Sequence, residues 1–155
     1  MKDLKDLAND MNTLLARSRD AREGYVEASH NLKNGGPLDK WMHEYSDQRL
    51  RFSIELEKEI NILGGDPDFD TSILGDLHRA WIDLKGTFSD NEPLAMLEEC
   101  HRGETKAYND YGDLLEKYPN MPTTTRQLLV AQQSKIKGAI AQIETMIKML
   151  ETVES

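Results

Sequence analysis

Glu98 and His101 stand three residues apart in the stretch MLEECHRGETKAY. That spacing puts a carboxylate and an imidazole on one helical face, a geometry by which two side chains hold a metal ion. Glu104 follows one turn later with a second carboxylate. Alone, such a pair more often belongs to a hydrogen-bonded core or a solvated face, so Glu98, His101 and Glu104 are weak metal candidates. Cys100 lies beside them. A thiol near an imidazole is the minimum for thiol chemistry, yet no Gly-rich elbow or orienting acid accompanies it, and a small apolar filler is the stronger reading. His30, His43 and His78 share no spacing that converges on a site.

The elements that must position these groups are helices. Leu4, Leu7, Met11, Leu14, Ser18, Ala21, Tyr25, Ala28 and Leu32 recur at threes and fours, which predicts a helix over 3–33. Asn34, Gly35 and Gly36 end it, and Pro37 opens a second helix over 37–63 with its seam through Met42, Tyr45, Arg49, Phe52, Leu56 and Ile60. Gly64, Gly65, Asp66 and Pro67 stop that one. A crossover over 64–89 follows, containing a short helix over 72–85. The third helix, over 90–118, carries Leu94, Leu97, His101, Glu104, Tyr108, Tyr111, Leu115 and Tyr118 on its seam. The fourth, over 121–153, carries Leu129, Gln133, Ile136, Ile140, Ile143, Ile147 and Leu150. Short turns force neighbouring helices to run antiparallel. The expectation is therefore one all-α domain over 1–155, an antiparallel four-helix bundle of two hairpins joined by a long crossover.

On this wheel several polar residues fall where water is scarce. Arg49, His101, Glu104 and Gln133 occupy seam positions, and Arg22 flanks the seam beside Ala21. A buried carboxylate without a counter-charge destabilises its fold, so Glu104 is expected to meet Arg49 or Arg22 across the core. Glu23 and Glu27 fall on the outer face. Met42, Met121, Met146 and Met149 read as core or interface residues. Trp41, beside Met42, belongs to an apolar stripe wide enough to support self-association.

Two mid-helix segments are related, SRDAREGY at Ser18 to Tyr25 and CHRGETKAY at Cys100 to Tyr108. With LGGDPD at Leu63 to Asp68 and LHRAWIDLK at Leu77 to Lys85, they resemble a bacterial ferritin-like four-helix-bundle family of unknown function, family 2383, within the ferritin and rubrerythrin-like superfamily. The resemblance runs from about Leu4 to Leu150. It implies two antiparallel hairpins with a long crossover, and no established activity. Metal-binding members of that superfamily draw a Glu from each of two helices and an ExxH pair from each of the other two. Here Glu104 stands at the expected place on the third helix, whereas the equivalent place on the first is Arg22. EYSDQRLRF on the second helix has no ExxH, and QQSKIKGAI on the fourth offers only Gln132 and Lys135. A cationic side chain in such a site repels metal.

Composition narrows the function further. A net charge of -9 opposes binding to nucleic acid, which relies on clustered Lys and Arg. A single cysteine excludes an internal disulfide framework and fits a reducing compartment. No segment has the length and continuous apolarity of a secretory signal or a membrane span, so a cytoplasmic location with no membrane partner is expected. The sequence thus points to a non-catalytic helical bundle with no cofactor, acting as a protein-association or stress-linked structural module, with a homodimer or another protein as partner. The alternative is a carboxylate metal-binding protein handling iron or peroxide, with iron or zinc as its ion. An adaptor with a ligand pocket near Trp81 forms a third class.

Overall fold

The computed structural model describes residues 3–31, 37–67 and 93–154. These residues form four helices and no strand: α1 (Leu4–Asn31), α2 (Pro37–Ile62), α3 (Pro93–Lys117) and α4 (Thr123–Glu154). The short helix expected over 72–85, with Trp81 and most of the crossover, lies outside the described residues.

Local chemistry sets the ends. Asp3 precedes α1, and its carboxylate accepts the Asp6 backbone N–H at 2.8 Å, satisfying one of the donors that a helix start leaves unpaired. Proline begins both α2 and α3, where its missing N–H costs nothing. The end of α2 winds up around Gly64, at φ +88°, with Gly64 N–H on the Asn61 carbonyl (3.0 Å) and Gly65 N–H on the Ile60 carbonyl (2.9 Å). This is a Schellman stop, whose left-handed residue favours glycine. Gly65 is required for a different reason. A Cβ there would come within 2.5 Å of Ala8 Cβ, so the chain passes α1 at a distance only glycine permits. Between α3 and α4 the Arg126 guanidinium donates to the Tyr118 and Pro119 carbonyls, both at 3.1 Å, placing a cation at the negative end of α3.

Packing joins α1 to α2 and α3 to α4 along their lengths, with α1 touching α3 and α2 touching α4. Among the described residues α2 and α3 make no close backbone approach, so a contact between their side chains must cross the interior. The core has two parts. One gathers Leu7, Met11, Leu15, Phe52, Leu56 and Leu129. The other gathers Tyr25, Trp41, Met42, Tyr45, Met96 and Ile143, in which Trp41 lies 4.3 Å from Tyr45 between ring centroids.

The seams of α1 and α2 follow the expected positions closely, but those of α3 and α4 do not. On α3 the interior line runs Leu97, Cys100, Glu104, Ala107, Tyr111, Leu114 and Tyr118, leaving His101, Tyr108 and Leu115 half-buried on its flank. On α4 Gln132 and Ala139 are buried, with Gln133 and Ile140 beside them. Either line repeats at threes and fours. At Cys100, Ala107 and Ala139 bulk distinguishes them: the small side chain takes the tight centre of the helix contact and its larger neighbour covers the edge. Trp41 and Met42, expected on an apolar stripe, are buried in the second part of the core. Met149, expected in the core or at an interface, is exposed and so lies outside the core.

Candidate functional site

The middle of the bundle holds a guanidinium. Arg49 is 2 % exposed and Glu104 3 %, and the Arg49 terminal nitrogens donate to both Glu104 oxygens, Nη1 to Oε1 at 2.5 Å and Nη2 to Oε2. The pair joins α2 to α3 through the interior. A planar fork facing a planar carboxylate satisfies both ions at once, the arrangement in which arginine outperforms lysine. Burial works against the Arg49 charge, but the Glu104 carboxylate and its hydrogen bonds outweigh that and hold Arg49 above its ordinary pKa. The Arg49 guanidinium also packs 5.3 Å from the Phe52 ring centroid.

Around the ion pair lies a belt of neutral polar groups. Tyr111 donates its hydroxyl to Gln132 Oε1 at 2.7 Å, with Ser18 of α1 beside the same hydroxyl. The Gln132 amide then donates to the Phe52 carbonyl (3.3 Å) and to Glu55 Oε1 (3.1 Å). Side chains of all four helices therefore meet at this level. Burial pushes the Tyr111 hydroxyl, the Tyr25 hydroxyl and the Cys100 thiol up from their ordinary values, and the Glu104 charge adds to each rise. Cys100 is thus a protonated, buried thiol, unsuited to nucleophilic work.

The residues singled out from the sequence divide between this layer and the surface. Arg49 and Glu104 meet in the interior. Arg22 does not join them: its side chain is exposed, because Tyr25 and Ala28 turn α1's apolar stripe inward and carry position 22 to the outer face. Gln133 is half-buried at the α3 edge, donating to the Tyr108 carbonyl at 3.2 Å, and its neighbour Gln132 takes the interior place. The His101 side chain is 35 % exposed and meets Glu144 of α4 at 3.0 Å. It lines a surface groove of about 350 Å³ with Glu98, Ile147, Lys148 and Glu151, so the ExxH pair faces outward rather than into the bundle. Lys135 is exposed, 6.0 Å from the Phe52 ring. Gln132 is an interior residue that the expected seam misses, and the QQ dipeptide is the signal that points to it.

This donor set does not fit a pair of metal ions. Glu104 spends both oxygens on Arg49, and the rest of the layer supplies hydroxyls, an amide and a positive charge. Among the described residues no three His, Cys, Asp or Glu side chains are grouped so as to hold a metal. No helix among them is long and apolar enough to cross a membrane.

No curated protein matches the chain. The family model described as Domain of unknown function (DUF2383) matches residues 6–117, a stretch that opens in the first turn of α1, closes at the end of α3 and contains both Arg49 and Glu104. The chain therefore belongs to the DUF2383 family.

Proposed function

We propose that this protein is a non-catalytic, ferritin-like bundle, a single domain of two antiparallel hairpins, that works in the cytoplasm as a protein-association or stress-linked structural module. The observation that carries the reading is the Arg49 guanidinium on both oxygens of Glu104 at the centre, where a ferritin-like protein would place cations. An internal arginine neutralises the acid without an ion. The layer then contributes uniqueness of register rather than chemistry, since any shift of one helix along another would leave a buried charge unpaired. Antiparallel order is supported by side-chain pairs between α1 and α2, in which Ser29 meets Asp39, Arg19 meets Glu57 and Asn12 meets the Asp66 carbonyl.

The test is anaerobic titration with ferrous iron followed by exposure to oxygen or peroxide, run on the wild type and on Glu104→Gln. The expected result is no iron oxidation beyond the buffer rate and no iron bound in a Glu104-dependent way. Two ions per chain that disappear in the Glu104 variant would replace this reading with that of a metal-handling protein.

A further inference from the structure

On its outer face, away from the Arg49 layer, α2 presents two large apolar side chains to solvent one turn apart, Leu50 at 37 % exposure and Ile54 at 58 %. Single exposed apolar residues are ordinary on a protein surface, but here the charges around the pair are ordered. Asp47, Arg51, Glu55 and Lys58 are all exposed beside it. Among the described residues Asp47, Arg51 and Lys58 form no ion pair. We infer that this face docks on the same face of a second copy of the chain, the two α2 helices running antiparallel across a twofold axis beside Phe52 and Ser53.

The helical repeat makes the face complementary to itself. Asp47 and Lys58 stand eleven residues apart, roughly three whole turns, so they share one line along the helix, about 16 Å apart. Leu50 and Ile54 lie to one side of that line, Arg51 and Glu55 to the other. A twofold axis across an antiparallel helix pair opposes residues equally distant from it and keeps each on its own side. Leu50 of one copy then meets Ile54 of the other, Arg51 meets Glu55 and Asp47 meets Lys58, and each contact occurs twice.

One register therefore satisfies the apolar pair and both charge pairs together. Glu55 gives Oε1 to the Gln132 amide at 3.1 Å, which leaves Oε2 for the guanidinium. Glu57, the other acid that would approach Asp47 in this register, is held by Arg19 of α1. A parallel pair would set Asp47 against Asp47 and Arg51 against Arg51, so charge selects the antiparallel arrangement. This contact rests on the association reading above and names the partner as a second copy. Iron titration decides that reading and oligomeric state decides this contact, so either can fail alone.

Sedimentation equilibrium of the full-length protein tests the contact. One helix against one helix is a small, weak interface, so half-dimerisation is expected at about 10–100 μM. Ile54→Asp should be monomeric throughout. Lys58→Glu should weaken the dimer at least about tenfold, because the twofold axis counts each loss twice. The exchange of Asp47→Lys with Lys58→Asp should restore self-association to within about threefold of wild type. Exchanged and wild-type chains mixed together should form no mixed dimer, as read by native mass spectrometry. Wild type that stays monomeric at about 500 μM overturns the inference, as does a dimer that survives Ile54→Asp or is not rescued by the exchange. All of these side chains are exposed, so each variant should keep its helicity and its unfolding midpoint. A lowered midpoint for Ile54→Asp under monomeric conditions would assign the face to another part of the same chain and overturn the inference as well.

Discussion

Two side-chain contacts of α3, one turn apart, behave as opposites. Glu104 faces Arg49 with almost no water, both oxygens held in a fork, whereas His101 meets Glu144 in an open groove with both side chains at least a third exposed. Sequence spacing treats the two residues alike, three apart on one stripe. The difference is solvent. In the groove, water and salt replace either partner at little cost, while in the interior removal of one partner strands the other charge in a medium that cannot solvate it.

The sharpest way to break this contrast is Glu104→Gln, which leaves Arg49 buried and unpaired. A loss of about 3–5 kcal/mol is expected, read by urea unfolding. Replacing both partners, as in Arg49→Met with Glu104→Leu, removes the charges together and should recover most of that loss. A double variant as unstable as the single one would refute the account of a stranded charge.

Next comes alkaline pH. Tyr25, Tyr111 and Cys100 have folded-state values raised above their ordinary ones of 10.0, 10.0 and 9.0. Their contribution is therefore fully present below those ordinary values and is lost as pH rises through the folded ones. Stability should hold to about pH 9 and then fall, with the tyrosinate absorbance of these buried rings appearing only as the helices melt. Complete tyrosine ionisation without unfolding would show that the layer is wet.

A smaller effect is expected for Gln132→Leu, which takes the acceptor from Tyr111 and a donor from Glu55, at about 1–3 kcal/mol. Gln133→Leu, one residue away and half-buried, should cost less, and equal losses would argue against the interior line drawn through 132. The smallest change belongs to His101→Ala. It should cost under about 1 kcal/mol, shrinking further in high salt, as measured by the shift in unfolding midpoint.

Much of the fold is legible in the amino-acid sequence. The seams of α1 and α2, the stop at Gly64 and Gly65, and the start of α2 at Pro37 follow from periodicity and backbone chemistry, which are local properties. The central layer is legible only in part. Arg49 and Glu104 stand out as charges on apolar stripes, and one of the two cations that could serve Glu104 is the one it meets. Arg22 is harder to place because position 22 lies beside the stripe, where a rotation of a fraction of a turn decides between core and water. Cys100, Ala107 and Ala139 yield to bulkier neighbours in a reading by periodicity, since side-chain bulk marks the edges of a helix contact as strongly as its centre, and Gln132 differs from Gln133 in position alone. His43 has no histidine partner at a useful spacing, yet Ser29 reaches it from another helix.

Four amphipathic helices, with an interior that must accommodate an arginine and a carboxylate, follow from the order of residues alone, because periodicity and the cost of burying charge act within each segment. Which positive charge faces Glu104, which glutamine lies inside, and the shared corner of Ser29, Asp39 and His43 arise from the assembled bundle. Those outcomes depend on how far each helix rotates about its axis, and that rotation is set by packing against the other helices.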